Sequence, residues 1–521
     1  MPGRPAPADR WEFVTADPGP ARHPRLVLAV VSTAVFMAML DNLAVTNALP
    51  ALGEELGLGI SGLQWAMAAY TLVLAATLLS AGSLGDLLGQ RRAFLAGLLG
   101  FMAGSALSSV ATAQAPLVAG RAVQGLGAAV LLPAGAALLR HAHPDATARA
   151  RALGVRGAAG GLGIALGPAV GGPLTEALGW RSVMWINLPV GAAALLVALR
   201  VLPRPPAAPV RWDPAGQVLA VTGLGSLVYG LVQGPVDGWS APCVTAALAV
   251  AAVALCAFAV VEARVSRPLL DPSLFHDGAS RAVAVSCFSS SVGLFGGTFF
   301  LSLFLQDVLA WSAAGAGAVF LSASAFIVLT SPAAAALTIR RGVRTPLVLG
   351  LGLDALALLG LSCYGRHAAY ASYGWLLPVL GTGIGLLFVP AVITLVERAP
   401  ADRAGTASAV VDTLREVGGV VGVAVLGAVL TARMRVTLLD RATDAGLPQD
   451  AADRLVRAVV ADGPAQKFGG HHAGGEASQA TLWAQDSFID GLHLALRCGA
   501  LALTCTLIVV LVLLSACWKS R

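Results

Sequence analysis

One acidic residue stands inside an apolar stretch near the N-terminus, where a charge is costly. Residues 36–50 read FMAMLDNLAVTNALP, and Asp41 lies in a run long enough to cross a bilayer. A carboxyl group in that setting can bind a proton, because desolvation disfavours its charged form. We therefore expect Asp41 to face a water-filled cavity and to alternate between protonated and substrate-bound states. The alternative is a packing role, with Asp41 held by Asn42, Asn47 or the backbone.

A basic residue of comparable depth occurs in a later apolar stretch, GRAVQGLGAAVLLPAG (120–135). Arg121, Gln124 and Gly125 share one helix face, because they are three and four residues apart. A buried arginine costs about 2.5–3.5 kcal/mol at the bilayer centre, so it needs a partner or a wet cavity. We expect Arg121 to lie near Asp41. The alternative is that its side chain reaches the membrane interface.

Other charged residues also fall within apolar runs. Asp354, in LGLDALALLG, is the second candidate for ion coupling or cation attraction, with helix packing as the alternative. The segment DTLREVGGVVG (412–422) places Asp412, Arg415 and Glu416 on neighbouring faces of one helix, where they form either an internal ion pair or a gate.

The composition indicates which elements must position these residues. Hydrophobic residues make up 57% of the 521 and charged residues only 12%, with a mean hydropathy of +0.77. Soluble domains carry about 25% charged residues. Apolar runs of spanning length recur along the chain, which predicts an all-α polytopic membrane protein with about 14 transmembrane helices. The net charge of +6 is dispersed over short loops, unlike the basic patches of nucleic-acid-binding proteins.

The loops divide the chain into four parts. We expect a cytoplasmic tail at 1–25, a six-helix bundle at 26–202, two inserted helices with flanking linkers at 203–280, and a second six-helix bundle at 281–517. Within the second bundle, the polar segment 432–495 is expected to be a flexible extracytoplasmic loop. Arginines concentrate in alternate loops, which places both termini in the cytoplasm by the positive-inside rule.

A glycine-rich turn follows the second apolar run and reads GSLGDLLGQRR (82–92). Glycines let helix ends approach closely, and the acid lies within reach of basic groups. The string resembles the loop between the second and third spans of the major facilitator superfamily, which implies that Asp86 helps to hold two halves together on the cytoplasmic side. Leu87 and Gln90 depart from that pattern, where arginine is common. The gating residues implied are Gly82, Asp86, Gly89, Arg91, Arg92 and, in the second half, Arg415.

The fifth apolar run, GVRGAAGGLGIALGPAVGGPL (154–174), carries glycines every four residues. This spacing gives a smooth face on which another backbone can pack, and Pro168 permits a kink. The string resembles the antiporter motif of exporters in the same superfamily, which implies outward transport. Its motif residues are Gly163, Gly167, Pro168, Gly171 and Gly172. The Arg121-x-x-Gln124-Gly pattern resembles the superfamily's fourth-span motif, which is associated with proton transfer.

Two further segments, LQWAMAAYTLVLA (63–75) and GWRSVMWINLPVG (179–191), resemble the fourteen-span drug:proton antiporter family, the EmrB/QacA group. The resemblance implies the major facilitator fold, two six-helix bundles plus two inserted linker helices. It also implies proton-coupled efflux of hydrophobic, cationic or amphipathic drugs or antibiotics across the plasma membrane by alternating access. The alternatives are a dedicated exporter of one self-made secondary metabolite, giving self-resistance, and a non-transporting membrane sensor.

Several kinds of chemistry are not expected. The chain lacks a Gly-Lys-Ser/Thr phosphate-binding loop, so ATP is not predicted to drive it. Its cysteines are scattered and its histidines lie in polar loops, without metal-ligand spacing. We expect no enzymatic activity, no metal and no cofactor, with a proton gradient as the energy source. The expected partners of this monomer are protons, small hydrophobic molecules and the lipid bilayer, and no nucleic acid.

Overall fold

The computed structural model describes residues 23–204, 213–265, 272–398, 404–462 and 475–516. Every regular element in those ranges is helical. Fourteen segments there are long and apolar enough to cross a membrane, which confirms the predicted all-α membrane protein with about 14 spans. The predicted tail falls almost wholly outside the described residues.

The first seven helices supply six of these segments, because α6 and α7 together form one span. Their bounds are α1 Pro24–Leu56, α2 Ile60–Leu88, α3 Gln90–Ser109, α4 Gln114–Ala142, α5 Ala146–Leu178, α6 Arg181–Trp185 and α7 Asn187–Val201. Gly89 alone separates α2 from α3, with a φ of +88° that suits glycine and strains other residues. The turn between the second and third spans is therefore as tight as the glycine pattern predicts.

Ten helices follow. Their bounds are α8 Pro214–Asp237, α9 Pro242–Glu262, α10 Gly278–Leu303, α11 Ala313–Arg341, α12 Arg344–Leu361, α13 Tyr370–Tyr373, α14 Leu376–Arg398, α15 Ala404–Asp444, α16 Gln449–Asp462 and α17 Gly475–Ala516. Side chains of Asp213, Asp277 and Ser312 cap α8, α10 and α11 by accepting a hydrogen bond from the backbone N–H three residues later. A π-helical turn, Phe304–Val308, extends α10.

The helices pack as two groups. Helices α1–α7 contact one another and are called the N-terminal bundle; α10–α17 do the same and are called the C-terminal bundle. We name the two ends of the molecule by α1 and α10: end A holds the starts of these helices, and end B holds their ends. At end B the two helices meet, because the Ser302 hydroxyl donates to the Thr46 carbonyl at 3.0 Å.

The inserted helices α8 and α9 pack on each other, and α8 lies against both bundles through α2 and α15. Its Val228 and Val232 share a buried cluster with Ala68 of α2 and with α15 residues. Nearer end A, the Gln217 side-chain amide donates to the Ala76 carbonyl of α2 at 2.8 Å. This pair therefore covers one flank of the seam between the bundles.

The segment 432–495 is not the flexible loop that the sequence predicts. Its described residues extend α15, form α16 and begin α17, leaving 463–474 outside the description. The prediction was wrong because the polar residues of this segment lie on helices and pair with one another. The Arg441 guanidinium bonds Asp490 at 2.7 Å and Ser487 at 2.6 Å. Helix α16 is amphipathic and buries its valines against the neighbouring helices.

Candidate functional site

Asp41 and Arg121 form a salt bridge in the interior of the N-terminal bundle. The Arg121 Nη1 atom lies 2.5 Å from Asp41 Oδ2, and neither side chain is exposed at all. The pair joins α1 to α4, and the two residues lie at similar depth in these helices, as their positions in the sequence predict. The predicted proximity of Asp41 and Arg121 is therefore confirmed, and Arg121 does not reach the membrane interface.

Polar partners surround this ion pair. Arg121 Nη1 also donates to Gln124 Oε1 at 2.8 Å, and the guanidinium lies 4.6 Å from the centre of the Tyr70 ring. On the other side, Asn187 Nδ2 donates to Asp41 Oδ1 at 2.6 Å and contacts the Ser105 hydroxyl at 2.9 Å. Four side chains, one each from α2, α3, α4 and α7, thus surround one buried charge pair.

The prediction that Asp41 faces a water-filled cavity is wrong for this conformation. Its carboxylate points towards α4 and α7, inside its own bundle, where Arg121 and Asn187 take both oxygens. Asn42, the next residue, turns the other way and lines the space between the bundles. Asn47, an alternative partner for Asp41, instead donates to the Pro168 carbonyl of α5 at 3.0 Å.

A cavity between the two bundles opens towards end A. Its outer lobe encloses about 550 Å³, including the part open to solvent, and is lined by α1, α2, α4, α5 and α15. An inner lobe of about 410 Å³, again including space open to solvent, is largely apolar and includes Phe295, Ile327, Ile384 and Phe388. Met39, Ile164, Arg415 and Glu416 line both lobes, so the two adjoin.

The cavity wall carries four charged residues, one from α5 and three from α15. Arg156 and Arg415 are the cations, and Asp412 and Glu416 are the anions. Arg415 Nη2 bonds Glu416 Oε1 at 2.8 Å, so the ion pair considered from sequence is present. The Asp412 side chain is 42% exposed and that of Glu416, one turn deeper, only 2%. Side-chain exposure to the solvent at end A therefore decreases along α15 from Asp412 to Glu416.

End B is closed by contacts between the bundles. The Gln306 amide donates to the Asn47 carbonyl at 3.2 Å, and the Gln64 amide donates to the Val423 carbonyl at 2.7 Å. On another flank, the Ala314 N–H donates to the Glu176 carboxylate at 3.2 Å. These contacts join α1, α2 and α5 to α10, α15 and α11.

The glycines of α5 allow two close helix contacts. Gly163, Gly167 and Gly171 lie against the backbone of α1, which is the packing face that their spacing predicts. Gly172 faces the other bundle: a Cβ added there would lie 2.3 Å from the Ala313 carbonyl oxygen. Pro168 meets the same helix, because a Cβ added at Gly317 would lie 2.2 Å from the Pro168 carbonyl oxygen. The predicted antiporter motif thus forms part of the end-B seam.

The predicted gating residues are described only in part. Gly82 and Asp86 belong to α2, but the surroundings of Gly82 and of the Asp86 side chain lie outside the description. Arg91 Nη2 donates to the Leu199 carbonyl of α7 at 2.6 Å, within its own bundle, and Arg92 is exposed. Arg415 does reach across the cavity, with its Nη2 atom 3.6 Å from the Met39 sulfur.

Asp354 lies in the interior of the C-terminal bundle and does not line either lobe. The Ser290 hydroxyl donates to its Oδ2 at 2.7 Å, and its Oδ1 has no hydrogen-bond partner among the described residues. Its carboxylate fills the space beside Gly383 of α14. This geometry favours the packing alternative for Asp354.

Comparison with known proteins decides the family. A sequence profile of the Major Facilitator Superfamily matches residues 31–423. The chain belongs to the Major Facilitator Superfamily. The crystal structure of a bacterial homologue of the human lysosomal transporter Spinster, inward-facing and unoccupied, has the same fold, with a TM-score of 0.63 at 15% identity over 96% of this chain and 98% of that one. The predicted major facilitator fold is confirmed.

Relatives of this superfamily member include named resistance proteins. "Multidrug resistance protein Stp" of Mycobacterium tuberculosis is 34% identical over 497 residues, 93% of this chain and 90% of that protein. "Tetracenomycin C resistance and export protein" of Streptomyces glaucescens is 32% identical, over 92% of this chain and 90% of that protein. The similarity extends through both bundles and the inserted pair.

Sequence reasoning missed three residues that this superfamily member places at its polar centres. Asn187 and Ser105 complete the ion-pair cluster, and Arg156 projects into the cavity. Each is a polar side chain in an apolar run, which is the signal that identified Asp41. Asn187 lies in GWRSVMWINLPVG and Arg156 lies in GVRGAAGG. Both strings were interpreted through their other residues, which resemble family motifs.

Proposed function

We propose that this protein is a proton-coupled exporter of amphipathic drugs or antibiotics in the plasma membrane, working by alternating access. The observation that carries the proposal is the cavity between the bundles, open towards end A and closed at end B. Relatives named for multidrug resistance and antibiotic export support drug efflux. The antiporter motif at the end-B seam fits outward release, because opening there requires α5 and α11 to separate.

End A is proposed to be cytoplasmic. Its helix ends and connections carry most of the arginines outside α15–α17, including Arg25, Arg91, Arg92, Arg140, Arg149, Arg151, Arg200, Arg264, Arg340, Arg341 and Arg344. The short connections and α6 at end B hold Arg181 and Arg366. The positive-inside rule then places end A, and both termini, in the cytoplasm. The conformation described is inward-facing, ready to take substrate from the cytoplasm or the inner leaflet.

Glu416 is the acid that we assign to proton exchange. It lines both lobes, whereas Asp41 lines neither. Its Oε1 pairs with Arg415, and its buried Oε2 has no partner among the described residues. When closure of end A draws Arg415 away, Glu416 becomes an unpaired carboxylate in an apolar wall and takes up a proton from end B, and the return of Arg415 or the binding of substrate displaces that proton once end A reopens. Asp41 can exchange a proton only if Arg121 first leaves it.

The test uses purified protein in liposomes that contain a pH-sensitive dye. With an imposed proton gradient, wild type should accumulate a fluorescent drug and release protons in proportion. Glu416→Gln should lower proton-coupled transport more than tenfold while leaving the folded yield unchanged, because a neutral amide cannot carry the proton. The matched control is Asp450→Asn, which changes an exposed acid on α16. Transport that continues without a gradient, or is unchanged in Glu416→Gln, would contradict proton coupling through this residue.

A second candidate is a dedicated exporter of one self-made metabolite. The relative named for tetracenomycin C resistance and export favours this possibility. An efflux panel of cationic, neutral and anionic antibiotics separates the two candidates. Efflux of a single chemical class supports the dedicated exporter, and efflux of several classes supports the multidrug exporter.

A further inference from the structure

The charges on the cavity wall are unevenly divided between two helices, because α15 carries two acids and one arginine and α5 carries one arginine. Arg415 attracts both acids, with Glu416 Oε1 at 2.8 Å from its Nη2 and Asp412 Oδ1 at 3.9 Å from its Nη1. One guanidinium therefore serves two carboxylates, both on its own helix. The other cation of the wall, Arg156, stands on α5 across the cavity mouth.

Arg156 has few partners. Its Nη2 atom donates to the Leu132 carbonyl at 3.1 Å, and its buried Nε has no hydrogen-bond partner among the described residues. Asp412 acts on it electrostatically but makes no hydrogen bond with it. Asp412 also lies 3.9 Å from Arg415, so Arg156 is left on this wall as a cation with a buried donor that no described residue accepts.

The inner lobe offers a different surface. Leu294, Phe295, Ile327, Ile384 and Phe388 make it apolar and partly aromatic, and Asn42 is its one uncharged polar side chain. It joins the outer lobe at Met39 and Ile164. A molecule bound across both lobes would place an apolar body against the phenylalanines and a polar group beside Arg156.

We propose that Arg156 selects amphipathic substrates that carry an anionic group, such as a carboxylate or an enolate, beside an apolar ring system. This inference rests on the proposed export function and differs from the cationic preference expected from the sequence. A guanidinium presents paired donors that match a planar carboxylate, and such charge-assisted bonds are strong where water is scarce. Removing them should weaken binding about tenfold to a hundredfold.

Two dyes that differ in one group provide the test. Rhodamine 19 carries a free carboxylate, and rhodamine 6G is its ethyl ester. Binding to purified protein in nanodiscs is measured by fluorescence anisotropy. Wild type should bind rhodamine 19 at least tenfold more tightly than the ester. Arg156→Gln should remove that preference and leave the affinity for the ester within about twofold.

Arg151→Gln is the matched control, because Arg151 lies on the same helix but is exposed and outside the cavity. It should change neither affinity. Arg156→Lys, which keeps the charge but loses the fork, should retain part of the preference. Equal affinities for both dyes in wild type, or a preference that survives Arg156→Gln, would overturn the inference while leaving export intact. Failure of wild type to bind either dye would count against the export function itself.

Discussion

Each bundle holds an acidic residue in its interior away from the cavity, Asp41 or Asp354, and the two acids are held in different ways. Asp41 accepts bonds from Arg121 and Asn187, and the arginine is in turn held by Gln124 and the Tyr70 ring. Asp354 accepts one bond, from Ser290, and has no cationic partner among the described residues. Asp41 thus belongs to a network whose members depend on one another, whereas Asp354 is held by a single polar contact.

The difference bears on where transport chemistry takes place. The buried Asp41–Arg121 pair and Asn187 tie α1, α4 and α7 into one body, and disturbing the pair disturbs the bundle. Arg156 and the Arg415–Glu416 pair instead line the cavity that opens towards end A. Under the proposed function, lining the cavity is what separates Glu416 from Asp41 and Asp354.

Breaking the ion pair should give the largest effect. Asp41→Asn leaves Arg121 as a buried cation without a counter-charge, which typically costs 3–5 kcal/mol, so we expect a loss of about 4 kcal/mol in the free energy of unfolding. The double variant Asp41→Asn/Arg121→Gln should recover at least about 2 kcal/mol, because it removes both charges. Steric trapping in detergent micelles measures both values. Additive costs in the double variant would show that the two side chains are not energetically coupled.

The sequence allows the fold to be predicted in outline, because length and hydropathy fix the spans. It also predicts the Asp41–Arg121 contact, since both charges lie in apolar helices at similar depth and each needs a partner. It does not show which way Asp41 points. That direction depends on Asn187 and Ser105, 146 and 64 positions away in the chain.

The helical extension at end B was hidden for a related reason. Residues such as Arg441 and Asp490 lower the hydropathy of the segment 432–495, so the hydropathy pattern predicts a loop. In the structure these charges neutralise each other between α15 and α17. A hydropathy pattern registers the cost of each charge separately and cannot register a pairing 49 residues apart.

A clash introduced between α5 and α11 at end B tests whether the N-terminal bundle moves as one body, as its network implies. In Gly172→Val, the new side chain would overlap the Ala313 carbonyl of α11. Overpacking of this kind costs about 1–3 kcal/mol and should favour opening of end B about tenfold. Spin labels on α1 and α10 at end B report the distance. Gly157→Val is the control, because Gly157 has open space around it; equal shifts in both variants would mean that helix propensity, not the seam, is responsible.

Asp354→Asn should cost much less than Asp41→Asn. The amide keeps the shape of the carboxyl and can still accept from the Ser290 hydroxyl, so we expect a change of about 1 kcal/mol or less in the free energy of unfolding. Ser290→Ala should cost about 1 kcal/mol, since it leaves the buried Oδ2 without its donor. Both are measured by the same steric trapping. A cost for Asp354→Asn equal to that of Asp41→Asn would reveal an ionic partner and remove the contrast between the bundles.

The smallest effect is expected where an acid is solvated. At end A, Asp277 caps α10 and pairs with Arg398 at 2.7 Å, and both side chains are more than one-third exposed. Burial alone would raise the pKa of Asp277, but the hydrogen bonds from Ser280 and the charge of Arg398 lower it below its ordinary value of 3.8. A lowered pKa means that the stabilisation is complete above that value and disappears as the pH falls through the lower, folded-state pKa. Asp277→Asn keeps the cap and removes the charge, so it should lower the free energy of unfolding at pH 7 by less than about 1 kcal/mol, and not at all once the pH is below the folded-state pKa of Asp277. A difference between the two proteins that persists unchanged at the lowest pH would show that the ion pair is not its source.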